Sequence, residues 1–254
     1  MGRWTRQHRG RELTQTLAAV VHGESGAGKS YFGGTVPGPR LILDAEGGSR
    51  FIKANRRKVR WNPLTETPPE ADGTWDACFV DVLEWKTLYA AYQWLASGKH
   101  GFESVIIDSL TEVQKRLVDD IAGVDQPSLQ DWGTIGRNLE DMIRKMRDLI
   151  RHETKPVNVI MLCLSHLRDG ETRPFLKGQI ELALPAFVDV VGYLYTEASQ
   201  TEGNKIDRKM LIEPVNNIIA KDRTGVLVEE YGPVVLDANF TTWLELLEAE
   251  FGDE

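Results

Sequence analysis

Residues 23–30 have the types and the spacing needed to bind a polyphosphate. They read Gly-Glu-Ser-Gly-Ala-Gly-Lys-Ser and follow the apolar run of residues 17–21. The pattern G-x-x-x-x-G-K-[ST] between a buried strand and a helix start indicates a phosphate-binding loop, whose backbone N–H groups surround the anion. Lys29 is expected to bridge the outer phosphates of ATP, and the Ser30 hydroxyl to bind Mg²⁺. The predicted nucleotide-binding residues of the loop are Gly23, Glu24, Ser25, Gly26, Ala27, Gly28, Lys29 and Ser30.

Acidic residues end two other predicted strands and could complete this site. Asp108 follows the apolar residues 105–107, and a carboxylate at this end of a strand is suited to anchor Mg²⁺. Glu46 follows the predicted strand at 40–44, where its carboxylate could polarise the water that attacks the γ-phosphate. The alternatives are a helix N-cap for Asp108 and, for Glu46, a turn-entry acid before two glycines.

Polar residues also follow the predicted strand at 157–165. Ser165 ends that strand and His166 comes directly after it. Because both would emerge at the same edge of the sheet as the phosphate loop, either could sense the γ-phosphate. A histidine in a solvated loop is the alternative interpretation of His166.

The chain reads as an α/β protein with a mostly parallel central sheet. Near-continuous apolar runs are typical of strands that are covered on both faces, as in a parallel sheet. The predicted strands cover residues 17–22, 40–44, 77–82, 104–108 and 157–165, and helices are predicted at 84–97, 136–152 and 242–251. Runs at 187–195, 210–215 and 226–228 indicate an antiparallel extension of the same sheet. Residues 62–73, with three prolines, form a surface excursion.

Composition sets limits on the class of protein. The chain has 254 residues and a formal net charge of −8, so any binding of nucleic acid must come from local basic patches. Neither cysteine has a partner at metal-ligand spacing, and both lie in apolar runs, so we expect reduced core residues. No run approaches the ~18 apolar residues of a membrane span and no signal peptide is evident, which predicts a soluble cytoplasmic protein. We expect a basic amino-terminal arm at 1–13 and a single core at 14–254.

The order of these motifs resembles the ATPase core of RecA-type recombinases, and most closely the phage-encoded RecA-like single-strand annealing proteins that consist of that core alone. The likeness runs from about residue 14 to about residue 230. It implies a RecA-type P-loop NTPase fold, with Glu46 as the glutamate that activates water. Ser165 and His166 stand where recombinases usually carry a glutamine that links the nucleotide to DNA. Residues 218–223 resemble the family's K-x-K or K-x-R element, which implies that Lys221 and Arg223 reach the ATP of a neighbouring subunit.

The same resemblance implies partners. The partners are single-stranded DNA and further copies of the chain in a ring or filament, and a single-strand-binding protein is a further candidate. If the protein is phage-encoded, it would act in the cytoplasm of the bacterial host. The DNA face would comprise two loops, at about 120–133 and at 166–180. Three cations and an aromatic ring in the second loop suit backbone contacts and base stacking: Arg168, Arg173, Lys177 and Phe175. A second basic patch at 53–60 is better interpreted as a solvated charged face.

These features favour an ATPase that binds single-stranded DNA and anneals or pairs strands. One competing function is a P-loop kinase, for which Glu46 has no role and no arginine-rich lid segment is present. The other is an ATPase of the same fold that acts on protein partners without DNA, which the negative net charge favours.

Overall fold

The computed structural model describes residues 15–48, 52–199 and 205–252. The proposed basic arm at 1–13 lies outside the described residues. The strands are β1 Ala18–Gly23, β2 Arg40–Asp44, β3 Arg57–Arg60, β4 Trp75–Asp81, β5 Ser104–Asp108, β6 Asn158–Arg168, β7 Glu171–Pro174, β8 Val190–Ala198, β9 Ile206–Leu211, β10 Lys221–Asp222 and β11 Val234–Leu236. The α-helices are α1 Lys29–Gly33, α2 Trp85–Ala96, α3 Leu110–Ala122, α4 Leu129–Asp148, α5 Ile180–Phe187, α6 Val226–Tyr231 and α7 Phe240–Phe251.

One large sheet organises the chain, in the strand order β11-β9-β8-β1-β6-β5-β2-β4-β3. The strands from β8 to β3 in this order run parallel, while β9 and β11 extend the sheet antiparallel. The predicted fold class, with its antiparallel C-terminal extension, is therefore confirmed. Because β1, β2 and β5 run in the same direction, their carboxyl ends, at Gly23, Asp44 and Asp108, open onto one edge of the sheet.

Successive residues of the central strands point into two separate cores. In β1, Ala18 and Val20 belong to the core under α2, α3, α4 and α5, whereas Ala19 and Val21 belong to the core under α1, α6 and α7. This alternation follows from the pleat of a strand, and it explains why the runs read as continuously apolar. Both faces of the sheet are thus covered by helices.

Several predicted boundaries were wrong, and local hydrogen bonds explain two of them. Residues 226–228 form the start of α6 rather than a strand, because the Asp222 carboxylate accepts from Leu227 N and Val228 N and so caps a helix turn. Helix α4 begins at Leu129 rather than at 136, because Ser128 and Asp131 form a reciprocal capping box.

Neither proposed DNA loop is a simple loop. Much of 120–133 is helical, since α3 ends at Ala122 and α4 begins at Leu129. Within 166–180, β6 continues to Arg168 and turns back into β7, so that the two strands form a hairpin. Residue 187, predicted to begin a strand, is the last residue of α5.

The basic patch at 53–60 contains the edge strand of the sheet, in line with its interpretation as a solvated face. Strand β3 is largely exposed, and Arg60 pairs with the Asp81 carboxylate. Charged side chains on an edge strand discourage pairing with another chain. Both cysteines are buried free thiols, and burial raises the pKa of each to about 12. Among the described residues, no helix has the length and apolar character to cross a membrane.

Candidate nucleotide-binding site

The phosphate loop lies where the sequence motif predicts it, at the carboxyl end of β1. Strand β1 is flanked by β6 and β8 and ends at Gly23, and α1 begins at Lys29. A Cβ atom at Gly23 would collide with the carbonyl oxygen of Leu194 in β8, so only glycine lets the loop leave the sheet here. The loop is therefore held against the sheet by backbone contact.

The ammonium group of Lys29 is folded over this loop. Its Nζ donates to the carbonyl oxygens of Gly23, at 2.9 Å, and Glu24, at 2.8 Å. Burial lowers the pKa of Lys29, while the carboxylates of Glu46 and Asp108 act in the opposite direction. A cation held by neutral carbonyls in a partly dry site is well placed to exchange those contacts for phosphate oxygens.

Ser30 and Asp108 form the polar pair expected for magnesium. The Ser30 hydroxyl donates to Asp108 Oδ2 at 2.7 Å. Burial, with help from the nearby carboxylates of Glu46 and Asp44, raises the pKa of Asp108 to about 6, against the opposing effect of the Ser30 hydrogen bond. A hydroxyl and a carboxylate are the hard oxygen donors that Mg²⁺ prefers, so the residues fit this ion.

The described residues include no group of three or more His, Cys, Asp or Glu side chains arranged to hold a metal ion. Mg²⁺ held by Ser30 and Asp108 would depend on phosphate oxygens of the nucleotide for further ligands. This dependence is typical of magnesium, which is commonly bound by one or two protein groups together with a substrate phosphate.

Glu46 is tied to the same edge of the sheet. The Ser109 hydroxyl donates to Glu46 Oε1, and the Asp108 carbonyl oxygen accepts from Ala45 N at 2.8 Å. Ser109 is also the N-cap of α3, so the helix-cap role considered for Asp108 belongs to its neighbour. The Glu46 carboxylate is exposed and oriented by a hydroxyl group, as a base for water would need to be.

His166 contacts a buried carboxylate, so its interpretation as a solvated loop histidine is wrong. Its Nε2 lies 2.9 Å from Glu181 Oε1, and its ring stacks on Phe175 with 4.7 Å between ring centroids. Glu181, at the start of α5, has a side chain only 1% exposed. No sequence motif indicated Glu181, because its partners lie on a hairpin of β6 and β7 that was predicted to be a loop.

Two of the predicted DNA contacts share the same carboxylate. Arg168 NH1 lies 3.0 Å from Glu181 Oε2, and Arg173 Nε lies 3.4 Å from Glu181 Oε1. Arg173 is 8% exposed and also pairs with Glu171, so its guanidinium faces the protein interior. Of the three predicted cations, Lys177 is exposed and has no ion pair among the described residues.

His22 is a buried histidine that no sequence motif indicated, and it connects β1 with Ser165 of β6 and with Ile219. His22 Nδ1 lies 2.9 Å from Ser165 Oγ, and His22 Nε2 lies 2.7 Å from the carbonyl oxygen of Ile219. Ser165 therefore faces the strand of the phosphate loop rather than the open edge. The contact connects the end of β6 with the segment that leads to Lys221.

Lys221 and Arg223 lie away from the phosphate loop of their own chain. Strand β10 pairs with the beginning of β8, near the amino end of the parallel strands. Lys221 Nζ donates to the carbonyl oxygens of Pro185 and Val188, and Arg223 donates to that of Ala186 at 2.8 Å. Both cations thus contact the carboxyl end of α5, where positive charge is favourable.

A protein-family profile agrees with the assignment of a phosphate-binding site. The profile of the AAA domain family matches residues 15–224. No curated protein sequence matches the chain significantly. Among solved structures, a prototypical ATPase from the type III secretion system of pathogenic bacteria is 12% identical, with a TM-score of 0.44.

That alignment covers 71% of this chain and 52% of the secretion ATPase, so the chain spans about half of that protein. The family match covers most of the chain, including the phosphate loop, Glu46 and Asp108. The chain therefore belongs to the AAA domain family and is an ATPase-type P-loop domain.

Proposed function

We propose that this protein hydrolyses ATP and binds single-stranded DNA, as a RecA-like recombination protein that anneals or pairs DNA strands. The ATP half follows from the phosphate loop and from the acidic residues beside it. The DNA half is supported by one further observation, a groove at the amino end of α4 that combines an aromatic ring with cations.

In the hydrolysis step, each residue of the nucleotide edge has a distinct task. Lys29 neutralises charge on the outer phosphates, and Ser30 and Asp108 would hold Mg²⁺, which would supply further positive charge to neutralise the phosphates. Glu46, oriented by Ser109, accepts a proton from the attacking water. Burial lowers the pKa of Lys29, and the carboxylates of Glu46 and Asp108 oppose this effect.

The groove lies between the first turns of α4 and the segment that leads into α5. Its volume is about 430 Å³, and the Lys177 ammonium lies 5.5 Å from the centroid of the Trp132 ring. Gly133 and Gly136 on α4 leave open space above the backbone, and Arg137 adds a second cation to the lining. One carboxylate, Glu140, also lines the groove and pairs with Arg144. A single strand needs cations for its phosphates and a flat ring for its bases, and this groove supplies both.

Arg168 and Arg173 are less suited to direct contact with DNA than the sequence indicated. Their guanidinium groups already contact Glu181, and separating Arg173 from two carboxylates would leave a buried charge unpaired. We assign them to holding the hairpin of β6 and β7 against α5. Lys177 follows this hairpin in the chain, so the cluster fixes the position of one wall of the groove.

Assembly into a ring or filament would give Lys221 and Arg223 their second role. They lie on the side of the sheet opposite the phosphate loop, and a head-to-tail neighbour could bring that side to the loop of the next subunit. Positive charge at the γ-phosphate stabilises the transition state of phosphoryl transfer. In the single chain, Lys221 donates to the carbonyl oxygens of Pro185 and Val188. Arg223 donates to the Ala186 carbonyl oxygen and pairs with the Asp189 carboxylate at 3.2 Å.

The test is the binding of a fluorescent oligothymidine at several salt concentrations. Lys177→Ala should weaken binding and lower the log–log salt slope by about 0.7, the value for one phosphate contact on a single strand. Trp132→Ala should raise Kd about 5- to 150-fold with little change of slope, because stacking carries no counterions. Lys145→Ala is the matched control, since Lys145 lies on the same helix and pairs with Asp141.

Equal Kd and slope in all three variants would rule out this groove as the DNA site. A protein partner is the second candidate for what the ATPase acts on. Val124 and Leu129, at the turn between α3 and α4, have fully exposed apolar side chains, which favour a contact with another protein. Absence of oligothymidine binding at low salt would favour this alternative.

A further inference from the structure

We propose that Arg208 and Tyr31 form a platform for the nucleobase of ATP. The inference rests on the ATP-binding half of the proposed function and adds two residues that no sequence motif indicated. Tyr31 follows the phosphate-binding Ser30 directly, and Arg208 comes from β9, far away in the chain.

The two side chains are stacked beside the phosphate loop. The Arg208 guanidinium carbon lies 5.4 Å from the centroid of the Tyr31 ring. The arginine stem also packs against Gly28: a Cβ atom there would lie 3.0 Å from Arg208 Nε. Gly28 has a φ of 104°, so both its conformation and this close approach require glycine. The stacked pair is thus in contact with the loop that binds the phosphates.

Neither side chain has another evident purpose. The Tyr31 ring is 60% exposed although it is large and mostly apolar, and Arg208 is exposed as well. Within the described parts of the chain, no carboxylate pairs with Arg208, whereas the adjacent Lys209 pairs with Glu197 at 2.6 Å. An unpaired guanidinium on an exposed ring presents a flat cationic surface to solvent.

The shape of this surface favours the base over the phosphates. The loop N–H groups and Lys29 already serve the phosphates, whereas a nucleobase is the planar part of the nucleotide and gains from stacking. A purine covers more of such a surface than a pyrimidine does. The pair therefore also favours ATP over CTP.

The rest of the sheet holds the platform in position. Arg208 is paired with Thr196 of β8, and its carbonyl oxygen accepts from Asp237 N at 2.9 Å. Strand β8 in turn contacts Gly23 at the start of the phosphate loop. The base and phosphate contacts are therefore held by neighbouring strands that are hydrogen-bonded to each other, and such pre-organisation reduces the entropy lost when the nucleotide binds.

The test is calorimetric binding of ATP, ADP and inorganic tripolyphosphate to the full chain. In Arg208→Ala and in Tyr31→Ala, Kd for ATP and for ADP should rise by about 5- to 30-fold, and Kd for tripolyphosphate should stay within about twofold. Tyr31→Phe should keep most of the ATP affinity, because the ring remains. Lys209→Ala is the matched control and should bind all three ligands as the unmodified chain does.

Two outcomes would overturn the platform. Equal weakening of ATP and tripolyphosphate by Arg208→Ala would make this residue a phosphate contact, and unchanged ATP affinity in both alanine variants would remove the site. Lys29→Ala separates these failures from a failure of the proposed function, since it should weaken all three ligands. If Lys29→Ala leaves ATP binding intact, the nucleotide site itself is misplaced and the platform falls with it.

Discussion

The buried imidazole of His22 should make the stability of the protein depend on pH. His22 lies in β1, and its fully buried ring contacts the Ser165 hydroxyl and the Ile219 carbonyl oxygen. Burial lowers the pKa of His22 from 6.5 to about 4; the hydrogen bond to the Ile219 carbonyl opposes this effect and the charge of Lys29 adds to it. The neutral ring is therefore the form that the folded protein accommodates.

The direction and size of the effect follow from proton linkage. The unfolded chain binds a proton at His22 below a pH of 6.5, whereas the folded protein does not do so until about pH 4. The contribution of the neutral ring to the free energy of unfolding is thus complete above pH 6.5 and is lost as the pH falls towards 4. The full shift corresponds to roughly 3 kcal/mol, and about 2 kcal/mol of it is lost between roughly pH 7.5 and 5.0.

Urea unfolding at these two pH values measures the effect, with His22→Gln as the variant that cannot titrate. Between the two pH values, the free energy of unfolding should fall by about 2 kcal/mol more for the unmodified protein than for His22→Gln. The reason is that only the unmodified protein has an imidazole at position 22 that takes up a proton on unfolding. Ser165→Ala is a control that keeps the imidazole, and it should retain most of the pH dependence. An equal fall in the free energy of unfolding for the unmodified protein and for His22→Gln would show that His22 does not cause the pH dependence.

Three further predictions concern catalysis. Lys29→Ala should abolish measurable ATP binding in calorimetry, because the outer phosphates lose their main cation; unchanged affinity would contradict the phosphate-loop assignment. Glu46→Gln should bind ATP normally but hydrolyse it roughly 10²-fold more slowly in a phosphate-release assay, since the amide cannot accept the proton. Full turnover in Glu46→Gln would show that the residue only shapes the turn. Arg223→Ala should be nearly inactive alone, and mixing it with Lys29→Ala should restore part of the ATPase activity through interfaces that combine two intact halves. Normal activity of Arg223→Ala alone would exclude a role in the neighbouring subunit.

The central strands and the phosphate loop could be predicted because their signals are local. Each strand is a short apolar run, and the phosphate loop is a contiguous motif that includes Lys29 and Ser30. Local signals also explain two errors, because the residues of the Ser128 capping box and of the Asp222 cap are close together in the sequence, whereas the predicted boundaries follow the apolar pattern alone. Both cases show side chains that fix a helix start against the apolar pattern.

The rest of the site depends on contacts between distant segments. Glu181 collects Arg168, Arg173 and His166 only because the hairpin of β6 and β7 folds back over α5. Arg208 reaches Tyr31 because β9 is added antiparallel beside β8. No sequence spacing predicts such contacts. A glutamate that will be buried, such as Glu181, cannot be told from a surface glutamate until the positions of its partners are known.

The proposed function requires the ATPase site to be coupled to single-stranded DNA. The most direct measurement is the steady-state rate of ATP hydrolysis with and without an unstructured oligothymidine, for the unmodified chain and for Lys177→Ala, with Lys29→Ala as the blank. Coupling predicts that the oligonucleotide raises the rate of the unmodified chain and that Lys177→Ala needs a higher oligonucleotide concentration for the same rate. A rate that does not change at any oligonucleotide concentration, in a protein that hydrolyses ATP and whose Lys29→Ala variant does not, would contradict it.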